Sequence, residues 1–122
     1  MDITGFWKVS EANVFDKSFK QSWRTVEDIM SDPEVNPMQK AMSRAAYAFE
    51  ADGTVNMLMP KELDPSMETY NDEYGISKKT EWKEEGGKIF IAAEENGGQD
   101  WQEIVPAGDA IELFGYHRAV RV

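Results

Sequence analysis

Cysteine is absent from the chain, histidine occurs once, and basic residues are outnumbered. Without cysteine there is no disulfide and no thiolate metal site. That suits a reducing compartment, and a cytoplasmic location is the expectation. A Ser-His triad or a His-based metal site would have to use His117, and no His-x-x-x-His or Glu-x-x-His spacing exists around it. An ordinary strand histidine is expected there, and neither a metal nor another cofactor is expected. Thirteen Lys and Arg stand against 23 Asp and Glu, a net charge of −10. Nucleic acid and anionic membranes need a concentrated basic surface, so neither is an expected partner. No apolar run approaches the ~20 residues that a membrane-spanning helix needs. The start of the chain lacks the basic-then-apolar order of a secretory leader. Gly86-Gly87 and Gly97-Gly98 fit hairpin turns, not a phosphate-cradling loop. With 122 residues and no internal repeat, residues 1–122 are expected to form one domain.

What the chain does have is alternation. Over residues 3–9, Ile3, Gly5, Trp7 and Val9 share one face of a predicted strand, with Thr4, Phe6 and Lys8 on the other. From Asn13 the period changes. Phe15, Phe19, Trp23, Val26 and Met30 recur every three to four residues and predict a helical stripe. Asp32-Pro33 and Asn36-Pro37 each set a capping side chain before a proline, and the second leads into Met38, Ala41, Met42 and Ala45. A helical insert over residues 13–46 is therefore expected between the first and second strands.

Turn-punctuated alternation resumes at Tyr47. Tyr47, Phe49 and Ala51 precede Asp52-Gly53, and Val55, Met57 and Met59 follow, a strong hairpin signal. Residues 60–75 read as an irregular acidic loop with a turn of helix. Further strands are predicted on either side of Glu85-Gly86-Gly87, Asn96-Gly97-Gly98 and Gly108-Asp109, with a bend near Gly115 before the last strand, residues 116–122. The predicted fold class is mainly β, an up-and-down antiparallel barrel of about eight strands, because a meander of that length removes its open edges by closing. The alternative is an open sheet covered by the helices.

Gly5-Phe6-Trp7 in the first strand, together with Arg118 or Arg121 in the last, resembles the lipocalin and fatty-acid-binding (calycin) superfamily, in the form of a small bacterial lipocalin-like domain. The resemblance implies that Trp7 plugs one end of the barrel and that a late arginine lies across it. An indole offers an apolar plane, and a guanidinium can stack on it while donating to carbonyls. The helical insert looks like the helix-turn-helix lid of intracellular fatty-acid-binding proteins. Those proteins hold a carboxylate with an Arg-x-Tyr pair, whereas here the order is Tyr116-His117-Arg118.

The resemblance and the supply of four Trp, four Tyr, six Phe and seven Met imply a noncatalytic binding protein for a small apolar or amphipathic ligand in the barrel interior. Phe19, Trp23, Tyr47, Phe49, Trp82 and Trp101 are the expected aromatic lining. Met57 and Met59 supply adaptable apolar surface. Glu103, Tyr116 and Arg118 are the expected polar contacts, with Arg118 or Arg121 meeting a carboxylate. The alternative is a structural or protein-interaction module with a filled core and no ligand. Glu103 and Glu112 are weighed as inward carboxylates or general acid–base groups, but no second catalytic group stands at a telling spacing, and the two are as readily solvent-facing. Asp64, Glu68, Asp72 and Glu73 match no calcium-loop spacing and fit a solvated loop.

Overall fold

The period-2 pattern becomes strand over most of the chain, in a computed structural model that describes residues 2–15, 18–95 and 98–122, with the backbone alone for residues 94, 95, 98 and 99. β1 (Gly5–Phe15) and β2 (Gln21–Thr25) come first, followed by helices α1 (Val26–Ser31) and α2 (Pro37–Ser43). β3 (Ala46–Phe49) and β4 (Thr54–Pro60) form the next hairpin. A single 3-10 turn (Lys61–Leu63) and the two-residue β5 (Glu68–Thr69) lead to β6 (Tyr74–Glu85). β7 (Lys88–Glu95), β8 (Gly98–Ala107), β9 (Ala110–Leu113) and β10 (His117–Arg121) complete the meander. Each of β3, β4 and β6 to β10 pairs antiparallel with its neighbour, and β1 pairs with both β3 and β10. The result is a closed eight-stranded antiparallel barrel. β2 and β5 lie outside the ring, on β1 and β6.

Register sets which side chains meet inside. Trp7 lies opposite Tyr47 on β3 and Arg121 on β10, and Phe49 lies opposite Val55. The interior apolar cluster joins Trp7, Val9, Tyr47, Phe49, Val55, Ile91, Ile111 and Leu113. β3 is buried on both faces. Its Ala46 and Ala48 pack with Leu58, Tyr74, Phe6, Tyr70 and Ile76 in a second cluster. The continuous Met57-Leu58-Met59 run reflects that double burial, since a strand covered on both sides has no reason to alternate. The irregular segment expected over residues 60–75 is present between Pro60 and Tyr74, with its turn of helix, but is interrupted by the short β5.

The expected helix from Asn13 is corrected. β1 runs on to Phe15 and pairs with β2 over Glu11–Phe15 and Gln21–Thr25. Phe15, Phe19 and Trp23 are four residues apart, and a spacing of four returns to the same face of a strand as well as of a helix. Their pattern therefore fits both. Phe19 stands between the strands with φ of 60°. The helix begins where a local cap allows it: the Thr25 hydroxyl accepts from Asp28 N–H at 3.2 Å. The Ser/Thr-x-x-acid start signal was thus in the sequence at Thr25. A register shift between Val9 and Glu11 then switches the face that points inward, so that Trp7 and Val9 are buried before it and Ala12 and Val14 after it. Ala12 and Val14 pack on Ile29 of α1, with Val35 alongside.

α2 starts as its sequence predicts, with Asn36 Oδ1 accepting from Gln39 N–H at 2.8 Å and Pro37 at its head. Asp32 instead closes α1 and accepts from Glu34 N–H at 2.8 Å, which makes a turn and not a second helix start. The expected apolar stripe of α2 does not face the core: Met38 and Met42 are 69% and 37% exposed, and Ser43 is the buried residue. The Asp52-Gly53 and Gly86-Gly87 connections are hairpin turns as expected. Gly86 and Gly87 both have positive φ, 62° and 79°, as a type I′ turn requires. The bend before β10 passes through Phe114 and Gly115 at positive φ. Residues 96 and 97, where another turn is expected, lie outside the described residues.

Candidate functional site

The two ends of the barrel are built from different chemistry. At one end Trp7 is 3% exposed, and its indole N–H donates to the Ile3 carbonyl at 2.9 Å. The Arg121 guanidinium lies 4.6 Å from the Trp7 ring and donates to the carbonyls of Thr4, at 2.5 Å, and Asp2. Gly5 makes this possible. Its φ is +131°, and a Cβ there would sit 3.1 Å from an Arg121 guanidinium nitrogen. Arg121, not Arg118, is therefore the arginine on Trp7.

Between the ends, Tyr47, Phe49, Met57, Met59 and Trp82 belong to one interior cluster. Trp82 meets Phe49 edge-on at 6.4 Å and donates to the Glu50 carbonyl at 2.8 Å. Phe49, Val55, Ile91, Ile111 and Leu113 are all fully buried. Of the predicted residues, the structure brings Tyr47, Phe49, Met57, Met59 and Trp82 together.

The other predicted residues lie elsewhere. Arg118 is three residues from Arg121, so it projects from the opposite face of β10. Its guanidinium stacks 3.9 Å from the Trp23 ring, with Glu11 at 3.8 Å and Glu112 at 3.6 Å. Trp101 and Glu103 pair across β7 with Ala92 and Phe90, whereas Gln102 and Ile104 pair with the buried Ile91 and Ile89. The first two thus occupy the outer face. Lys83 Nζ sits 4.5 Å from the Trp101 ring, and Glu103 is exposed, 3.9 Å from Lys88. Phe19 is 84% exposed. Among the described residues no group of acidic or histidine side chains is arranged to hold a metal ion, and Asp64 instead caps its own turn by accepting from Ser66.

The mouth of the barrel is the chemically distinctive region. His117 is 4% exposed, and its Nδ1 lies 2.8 Å from the Tyr47 hydroxyl. The ring also meets the Met42 backbone at the end of α2. A carbonyl only accepts, so the ring donates to it. The chain Tyr47 to His117 to Met42 ties α2 to β3 and β10 through a neutral imidazole. Burial lowers the His117 pKa to about 4, against a smaller opposing effect of the Met42 carbonyl. Burial also raises the Tyr47 hydroxyl well above its ordinary value. The Tyr116 ring rests edge-on against His117 at 4.7 Å.

Beside this pair, a partly open cavity of about 250 Å³ lies between the end of β1 and α2. Among the described residues, Ala12, Val14, Phe15 and Met42 give it apolar walls, with Asn13, Gln21, Gln39, Ser43, Tyr116 and His117 alongside. None of these ten residues carries an acidic, lysine or arginine side chain. Asn13 donates to the Gly115 carbonyl at 3.4 Å, and its Oδ1 is buried without a partner. Of the predicted ligand-lining set, Tyr116 alone belongs to this wall. The remainder comes from segments far apart in the chain that the β1 extension and α2 bring together. The available signals were the polar residues set among apolar ones at Asn13, Gln39 and Ser43.

No helix among the described residues is long and apolar enough to cross a membrane. No family model, no curated protein and no solved structure matches this chain.

Proposed function

We propose that the chain is a noncatalytic binding protein for a small apolar or amphipathic molecule, held at the barrel mouth under α2 and not along the barrel axis. The observation that carries this is the cavity of about 250 Å³ with apolar walls and a few amide and hydroxyl groups, the composition expected of a small-molecule site. The closed eight-stranded barrel, the Gly5-x-Trp7 motif and the arginine across Trp7 support a calycin-like reading, in which small-molecule binding is common. The noncatalytic part rests on His117: it is the one imidazole at the cavity, and its ring is already held by the Tyr47 hydroxyl and the Met42 backbone.

Native mass spectrometry of the protein as purified from cells, with displacement of a fluorescent apolar probe, tests the proposal. A retained small molecule, or saturable one-to-one displacement abolished by a bulky residue at Ser43, is the expected result. Failure of varied apolar probes to bind would overturn it. The buried contacts among Phe49, Val55, Ile91, Ile111 and Leu113 favour a second reading, a structural or interaction module with a filled core. That reading predicts no retained molecule and no probe binding.

A further inference from the structure

Resting on the mouth-cavity reading, we propose that the site takes an uncharged one- or two-ring aromatic molecule bearing one hydrogen-bond donor, of the phenol or indole type, and rejects carboxylates. Three observations carry this. The first is size. A cavity of about 250 Å³ falls between the ~150 Å³ of a cavity that takes benzene and the ~300 Å³ at which drug-sized sites begin. One or two rings fill it, and a long acyl chain does not fit.

The second observation is charge. Charged residues make up 30% of the chain, yet among the described residues none of the ten on the wall is Asp, Glu, Lys or Arg. His117 is neutral at pH 7 and its ring is held by the Tyr47 hydroxyl and the Met42 backbone, so it offers no cation. A carboxylate entering the cavity would leave water without meeting a cation among these ten residues, and such desolvation is costly. Arg118, the nearest arginine on β10, is stacked on Trp23 between Glu11 and Glu112.

The third is the polar contact. Asn13 lies on the wall, and its Oδ1 is buried and unpaired. The amide cannot profitably flip, because that would set its oxygen against the Gly115 carbonyl, to which Nδ2 now donates. An unpaired buried acceptor is costly, so a ligand N–H or O–H reaching it after a small turn of the amide removes that cost. The rings of Phe15 and Tyr116 give aromatic edges and faces for the ligand to pack on.

The test uses the full chain, labelled with ¹⁵N, and three probes: indole, 1-methylindole and indole-3-carboxylate. Titrations are followed by NMR and by calorimetry at pH 7. Indole is expected to bind saturably, with shifts centred on the Asn13 side-chain amide, Tyr116 and residues 38–43. 1-Methylindole, which has lost the donor, is expected to bind about tenfold more weakly. Indole-3-carboxylate is expected to show no saturable binding. Asn13→Ala should bring the indole to 1-methylindole ratio close to one. The wild-type comparison of the two neutral probes stands even if that variant does not fold. Equal affinity for indole and 1-methylindole, or tighter binding of the carboxylate, would overturn the donor-bearing neutral ligand while leaving a binding site at the mouth. Absence of binding by all three would overturn the inference and count against the mouth site itself.

Discussion

At the closed end of the barrel, Trp7 and Arg121 donate to the backbone carbonyls of Ile3, Thr4 and Asp2, whereas at the mouth the His117 ring is held by the Tyr47 hydroxyl and a helix end. The first arrangement fixes the chain termini on a buried indole and leaves nothing for a ligand to exploit. The second hangs the position of α2 on a titratable ring, beside a cavity with an unpaired amide oxygen. The closed end is thus built for stability, and the mouth holds the features that permit change. Three of the most exposed large apolar residues, Phe15, Phe19 and Met38, lie on the mouth side as well. The difference can be tested region by region.

The largest effect is expected at the closed end. Trp7→Ala removes a buried indole and should cost about 3–5 kcal/mol in urea denaturation. Trp101→Ala, on the outer barrel face beside Lys83, should cost less than half as much. Equal losses would show that the two indoles are equally structural and would break the comparison.

The next effect belongs to the mouth and depends on pH. His117 has a folded pKa lowered to about 4 from 6.5, so between these values the unfolded chain binds more protons than the folded one. Its contribution is complete above pH 6.5 and is lost as the pH falls towards 4. The loss over that window should reach about 3 kcal/mol. His117→Gln can keep a hydrogen bond to each of its neighbours but does not titrate, so its stability should be nearly flat over the same window. A wild-type profile as flat as that of the variant would contradict the buried neutral imidazole. A smaller effect again lies at the closed end: Arg121→Met should cost about 1–2 kcal/mol through the lost stacking and carbonyl contacts. Gly5→Ala should cost at least as much, because its backbone sits at φ +131° and its Cβ would crowd Arg121.

The hairpin order was legible because Asp52-Gly53 and Gly86-Gly87 encode their turns locally, and the barrel followed from the number of strands. The Gly5 and Trp7 pair was legible too, but its partner was not. Arg118 and Arg121 project from opposite faces of β10, and only the β1–β10 register, with Trp7 opposite Arg121, selects between them. Face assignment failed in the same way on β8. Trp101 and Glu103 share a parity, and Ile104, of the opposite parity, is the residue that faces inward. The extended β1 was hidden by two effects: a four-residue spacing that suits helix and strand alike, and a bulge after Val9 that resets the alternation. The mouth cavity was illegible for a different reason. Ala12, Gln21, Gln39 and Tyr116 have no common pattern in sequence and meet only through the β1–β2 hairpin, α2 and the turn before β10.

The smallest predicted effect sharpens the comparison within the mouth itself. Met38 and Met42 are adjacent on one side of a seven-residue helix, and both are exposed. Their chemistry is the same and glutamine has a similar helix propensity, so Met38→Gln and Met42→Gln should each change stability by less than ~0.5 kcal/mol. They differ in what they touch, because Met42 forms part of the cavity wall and Met38 does not. Apolar-probe affinity should therefore fall about threefold with Met42→Gln, the loss of roughly one buried methylene's worth of contact, and stay unchanged with Met38→Gln. Equal changes in the two variants would mean that the probe responds to the exposed apolar surface of α2 as a whole. A loss confined to Met42 would place the probe between α2 and β1, where the neutral imidazole of His117 holds the helix end in place.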